Sequence, residues 1–250
     1  MKSTDLILKR INNQLESGKK LFAVLVDPDK YDDNSLLDLV KVSEGGHVHY
    51  FFVGGSLMTS GKFEHTIDVL KSTSRIPIII FPGSSMQISA KADAILFLSL
   101  ISGRNPEYLI GQQVIAAPHI TAANLETLAT GYMLIESENN TTANYISNTM
   151  PIPRDKADIA ACTAMAGEML GLKLIYLDGG SGAHSVIPAE MVKKVKETTN
   201  LPIIVGGGIT TAEQASRVWS SGADMIVVGN AIEQDLKLIS RISAQLKSAV

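Results

Sequence analysis

A single cysteine, Cys162, stands in a chain of 250 residues. One thiol can close no internal disulfide, so the chain reads as a reduced, intracellular protein, and a small buried apolar position in a helix accounts for Cys162 without chemistry. Basic excess is also missing. Net charge is −3 and charged residues make up 19% of the chain, with no basic stripe, which argues against nucleic acid or an anionic membrane surface as the main partner. No apolar run approaches the roughly 20 residues a membrane span needs, so stable membrane insertion is excluded at the level of sequence. The short apolar run near the start is broken at once by Lys9 and Arg10, while Leu8, Ile11 and Leu15 fall at helical spacing. An amphipathic helix over residues 4–17 that stays on the protein is therefore expected, and with it a cytoplasmic location. The histidines, His119 among them, have no spacing of metal ligands and read as structural or exposed.

What the sequence does contain is a series of short, almost uninterrupted apolar runs: "LFAVLVDP", "VHYFFVGG", "IPIIIFPG", "ADAILFLS", "GYMLIES", "LKLIYLDGG", "LPIIVGGG" and "ADMIVVGN". Strands buried on both faces have this composition, and parallel sheets bury both faces. Helix-period segments separate most of them, at Asn34 to Glu44, Lys62 to Ser74, Asp155 to Leu170, Pro188 to Thr199 and Thr211 to Ser221. Eight such strands alternating with helices predict a single α/β domain over residues 1–250, a (β/α)8 TIM barrel. An open doubly wound sheet is the alternative, but it more often carries its glycine-rich loop after the first strand, whereas the glycines here gather after the last three.

Two connections are irregular. Between the third and fourth runs lies little more than "SSMQISAK", too short for a full barrel helix with its loops, so the third helix is expected to be reduced and the outer ring thin there. After the fifth run comes "SENNTTANYISNTMPIPRDK", polar and proline-containing, which reads as a lid or a disordered loop.

Barrel chemistry lies at the C-terminal ends of the strands, which makes Asp27, Gly54 to Ser56, Pro82 to Ser84, Asp178 to Gly182, Gly206 to Gly208, Gly229 and Asn230 the candidates. "VGGGITTAEQ" and "VVGNAIEQD" follow the seventh and eighth strands, where barrels commonly bind phosphate through backbone N–H groups. Asp27, held in a turn by Pro28, suits a hard cation such as Mg²⁺ that completes its shell with substrate phosphate oxygens, and Ser56 could add a hydroxyl. In the sixth strand, alternation turns Leu174, Tyr176 and Asp178 to one side and Ile175 and Leu177 to the other. Tyr132 and Met133 read most simply as core.

Taken in order, "LVDPDK", "GGS", "FPGSSMQISAKADAILFLSLISGRNPEYLIGQ", "YLDGGSGA", "GGGI" and "VGNAIE" resemble the geranylgeranylglyceryl phosphate synthase family of prenyltransferases over most of the chain. The resemblance implies Mg²⁺-dependent transfer of a long isoprenyl group, geranylgeranyl first, from its diphosphate to sn-glycerol 1-phosphate for ether lipid synthesis. It assigns Mg²⁺ to Asp27 and Ser56. Glycerol phosphate falls to Tyr176, Leu177, Asp178, Gly179, Gly180, Ser181, Gly182, Gly207, Gly208, Gly229 and Asn230. One branch of the family has a glutamate at the position of Asp178 and a lysine just before the first-strand aspartate, where this chain has Leu25 and Val26; the chain is similar to the other branch. Asp178 is then the candidate for aligning the glycerol hydroxyl and taking its proton. An isomerase or lyase acting on a phosphorylated metabolite would share the phosphate loops but would use an acid/base pair and no metal. A phosphate-sensing barrel would catalyse nothing. A symmetric homo-oligomer is expected from the general behaviour of soluble enzymes.

Overall fold

Each strand of this protein presents one apolar row to the helices and another to the barrel axis. In β1 (Leu21–Val26), Phe22, Val24 and Val26 belong to the core shared with the helices, while Leu21 and Ala23 belong to the inner one. The computed structural model describes residues 6–246. Within them β2 (Tyr50–Val53), β3 (Ile78–Ile80), β4 (Ala94–Leu100), β5 (Glu126–Leu134), β6 (Leu174–Asp178), β7 (Ile203–Gly206) and β8 (Met225–Val228) follow in order, every neighbouring pair parallel. The ring closes where β1 meets β8, through Leu21↔Met225 to Val24↔Val228. An open sheet has two edges, and this one has none. The (β/α)8 barrel is the fold.

The helices α2 (Asp33–Gly45), α3 (Phe63–Thr73), α6 (Ala157–Met169), α7 (Ala189–Thr198) and α8 (Ala212–Ser220) fall on the helix-period segments. Their starts are chemically marked. Asp32 and Ser35 form a reciprocal capping box on α2, and Thr211 and Gln214 do the same on α8. Cys162 departs from expectation: it lies on the exposed side of α6, because the buried stripe of that helix runs through Ala160, Ala161, Ala164 and Gly167.

The N-terminal helix α1 (Leu6–Glu16) lies across the N-terminal mouth of the barrel; the start expected at residues 4 and 5 lies outside the described residues. Ile7 and Ile11 join the inner core. The backbone N–H groups of Ile7 and Leu8 each donate at 2.9 Å to the buried carboxylate of Glu126, the first residue of β5. This carboxylate satisfies N–H groups that an α-helix leaves free at its start. Tyr50 donates to Gln14 at 2.7 Å and so holds the other end of α1 down.

Between β3 and β4 the ring has no helix at all. Residues 81–93 run as turns, so the expected thinning is a true gap. On its far side a π-helical turn, Glu107–Gly111, leads into α4 (Gln112–Ala122). Side chains occupy carbonyls there: Ser99 donates to Leu109 O at 2.8 Å, and Gln113 donates to Tyr108 O at 3.1 Å and also to Leu98 O.

The polar segment after β5 is an ordered cover. It makes a bridge between Ile135 and Ile152 and carries a short helix α5 (Thr142–Ser147). Asn139 donates to Gly182 O at 3.1 Å and Asn105 to Ser147 O at 2.7 Å, which ties the cover to the β6 loop and to the approach to α4. Beyond it, α9 (Asn230–Gln234) and α10 (Lys237–Leu246) end the described chain. Among the described residues no helix is long and apolar enough to cross a membrane.

Candidate active site

The C-terminal ends of the strands enclose a cavity of about 480 Å³ that continues sideways through the gap between β3 and β4. Its upper end is lined by Asp27, Ser56 and the glycine loops, and its flank by apolar residues such as Ile88, Phe97, Ala116 and Ile120. The same cavity is thus polar at one end and apolar along the other. A missing helix has exposed the outer face of β4, which a complete ring would have covered.

Asp178 ends β6 and is 6% exposed. Its two oxygens are held separately: Tyr132 donates to Oδ2 at 2.6 Å and Gly180 N donates to Oδ1 at 2.8 Å. Burial pushes the carboxyl above the usual carboxylate range, while those two donors pull it back. Each oxygen keeps acceptor capacity for a substrate hydroxyl. Burial and the neighbouring Asp178 also push the Tyr132 and Tyr176 phenols well above their ordinary value. Both stay protonated, and Tyr132 stays a donor.

Tyr132 packs on the inner core as expected and, beyond that expectation, also lines the cavity. Register explains this second role: β5 and β6 pair with Tyr132 opposite Tyr176, so both rings point into the barrel at the level just below Asp178. Phe81 completes the floor, with ring centroids 5.8 Å from Tyr132 and 5.1 Å from Tyr176. The alternation of Leu128, Thr130 and Tyr132 along β5 carried the signal. Met133 is core, as its neighbour's opposite orientation requires.

Of the glycine-loop residues, Tyr176, Asp178, Gly180, Ser181, Gly182, Gly207, Gly208, Gly229 and Asn230 line the cavity. Leu177 turns its side chain into the core shared with the helices, so only its backbone faces the rim, and Gly179 lies behind its neighbours. Two glycines are required by the protein's own packing. At Gly180, φ is +85° and a Cβ would stand 2.4 Å from Thr141 Oγ1 of the cover. At Gly208, φ is +72° and a Cβ would stand 2.6 Å from the carbonyl of Ser185. These loops are bare because they pack closely on their neighbours.

Asp27 is half-buried at the end of β1, where its Oδ1 accepts from Asp29 N at 3.0 Å. Burial raises its pKa. Asp29 faces away and is pinned by Ser60 and Thr59, whose hydrogen bonds hold its carboxyl at about 2. Ser56 shares the cavity wall with Asp27. The intervening loops are braced by Gln87, 3% exposed, which donates to Gly55 O at 2.9 Å and accepts from Gly83 N at 3.1 Å. Sequence reasoning missed Gln87, as it missed Lys30 and Glu233 on the same wall. Among the described residues no three His, Cys, Asp or Glu side chains gather as a closed metal cage.

Fold and cavity together define a (β/α)8 barrel with a glycine-lined rim, modified by an open apolar flank. The sequence pattern of the PcrB family matches residues 13–246, and the chain belongs to that family. A geranylgeranylglyceryl phosphate synthase of Spirosoma linguale is 51% identical over 231 residues, which is 92% of this chain and 93% of that protein. The synthase of the same name from Chitinophaga pinensis is 49% identical over 232 residues, 93% and 92% of the two chains. Among solved structures, the (S)-3-O-geranylgeranylglyceryl phosphate synthase from Thermoplasma acidophilum in complex with substrate sn-glycerol-1-phosphate superposes with a TM-score of 0.91 at 32% identity, covering 97% of this chain and 98% of that one.

Proposed function

We propose that the protein transfers a geranylgeranyl group from its diphosphate to the 3-hydroxyl of sn-glycerol 1-phosphate, giving a prenylglyceryl phosphate and free diphosphate. The observation that carries this reading is the continuity of the cavity: a rim of glycine loops and one buried carboxylate opens directly into an apolar groove. An isomerase or lyase of a small phosphorylated metabolite has no use for that groove. The names of the relatives, and the glycerol phosphate complex of the Thermoplasma acidophilum protein, support the same pair of substrates.

The acceptor's phosphate sits on the N–H groups around Gly207, Gly208, Gly229 and Asn230 and anchors the glycerol. Asp178 accepts a hydrogen bond from the reacting hydroxyl. As the new C–O bond forms at C1 of the donor, the C1–O bond to diphosphate breaks and the hydroxyl proton passes to Asp178, which later releases it to water. Burial has already raised the proton affinity of that carboxylate, and Tyr132 and Gly180 fix its orientation. The rings of Phe81, Tyr132 and Tyr176 lie beneath, where positive charge develops on the allylic carbon. Asp27 and Ser56 suit Mg²⁺: one partly desolvated carboxylate and a hydroxyl form an open oxygen set that leaves room for diphosphate oxygens. Bound there, Mg²⁺ would supply Lewis-acid stabilisation of the leaving diphosphate.

The test is product analysis with labelled sn-glycerol 1-phosphate and prenyl diphosphates of increasing length. An ether-linked prenylglyceryl phosphate is expected, formed best with geranylgeranyl diphosphate. Failure to form a phosphate-bearing lipid at any length overturns the reading.

A further inference from the structure

The cavity wall carries a second carboxylate besides Asp27. Glu233 belongs to α9, which follows β8, and β8 pairs with β1, at whose end Asp27 stands. Both line the cavity and both are about half-buried. Burial raises the pKa of each, and Asp27 raises that of Glu233 further. Neither forms an ion pair among the described residues. The ammonium of the exposed Lys30 is close enough to ease both, but it offsets only one of two negative charges.

A third group, buried in the core behind that wall, has an unused capacity. Tyr31 is 6% exposed, and its hydroxyl has no hydrogen-bond partner among the described residues. Its charged neighbours are Glu233 and Asp27. A buried phenol normally finds a partner, so an orphaned one beside two unpaired carboxylates marks a place built around something further. The net charge of the wall gives its sign: a trianionic or dianionic diphosphate cannot approach two carboxylates and one lysine unless a cation lies between.

We propose that Glu233 is a second protein carboxylate of a divalent-cation pocket, shared with Asp27 across the β8–β1 seam and bordered by the Tyr31 hydroxyl. The inference rests on the cation-dependent reading above and extends it to the last residue of "VGNAIE", which that reading left without a role. Two carboxylates are within the number that Mg²⁺ takes when substrate phosphates supply the remaining oxygens.

Mn²⁺ serves as the probe, followed by its paramagnetic resonance signal with and without inorganic pyrophosphate, on wild type, Glu233→Gln and Asp27→Asn. Glu233→Gln is expected to weaken Mn²⁺ binding about tenfold or more, the size found when metal-site partners are removed. Its affinity for sn-glycerol 1-phosphate without cation should stay at the wild-type value, which also reports an intact fold. Wild-type Mn²⁺ affinity in Glu233→Gln together with a loss in Asp27→Asn overturns the role of Glu233 and leaves the cation reading standing. Unchanged affinity in both variants overturns the cation reading itself.

Discussion

Two opposing influences meet on Asp178, and on the proposed reading their balance decides how readily it takes the proton of the bound hydroxyl. Burial raises its pKa, and the Tyr132 and Gly180 donors lower it. Tyr132→Phe keeps the ring in the aromatic floor and removes one donor to the anion, so the carboxyl should rise further. The base form is then populated only at higher pH. The acid limb of the kcat profile should move to higher pH, activity should recover on the alkaline side, and KM for glycerol phosphate should hardly change. An unmoved limb would show that the 2.6 Å hydrogen bond does not tune the base. Asp178→Asn removes charge and basicity while still accepting a hydrogen bond. Glycerol phosphate binding should persist while kcat falls about 10²–10⁴-fold, the usual contribution of a positioned base.

At the scale of elements, the cover and the β6 loop fit so closely that one methyl group is enough to test their contact. Gly180→Ala imposes a side chain at φ +85° and places it against Thr141. A loss of about 1–3 kcal/mol is expected from the backbone conformation alone, read as a lowered melting temperature. Thr141→Gly in the same chain should recover the part due to the clash and none of the part due to the dihedral. A second element-level expectation concerns the start of β1. Phe22 N donates to His49 Nδ1 at 3.2 Å, and burial depresses the His49 pKa from 6.5 to about 4. A depressed folded-state pKa means that the folded protein binds the proton less readily than the unfolded chain. Its contribution is complete above pH 6.5 and is lost as pH falls towards 4. Melting curves across that window should slope downward with acid, and His49→Gln should flatten the slope.

The same scale shows what could be read without coordinates. Buried parallel strands have a composition of their own, so the order of β1 to β8 was legible from "LFAVLV" to "MIVV". The gap after β3 followed from a length too short for a helix. Tyr132 was not legible as a site residue, because its role depends on which residue of β6 lies opposite, a matter of register. Glu233 and Gln87 escaped for a related reason: each lies within a quoted stretch, "VGNAIE" and "FPGSSMQISAK", but matters through a partner far away in sequence. Cys162 misled because α6 is apolar almost all round, leaving little pattern to tell its buried stripe from its exposed side.

Across the whole molecule the two ends of the barrel differ in kind. The bottom is sealed by α1 and Glu126, so both substrates must share the upper opening and its side exit. Binding should therefore be ordered by chemistry. Glycerol phosphate alone should raise the melting temperature, whereas a prenyl diphosphate should do so only when a divalent cation is added. Equal stabilisation by the prenyl compound with chelator present would count against an anionic wall at Asp27.

The gap in the helical ring also sets where the barrel opens most easily. β3 is three residues long and meets β4 only through Ile79↔Ala94 and Ile80↔Ile95, with no helix packed over their connection, whereas β4 and β5 are paired from Ala94↔Glu126 to Leu100↔Tyr132. Amide protons of β3 and of residues 81–93 should thus exchange with deuterium first, and those of β5 last. A long apolar ligand lying in the gap takes the place of the missing helix, so it should slow exchange at this seam more than anywhere else. On the proposed reading the barrel would be completed by its own prenyl substrate, turn after turn, and would return to its looser form each time the product departs.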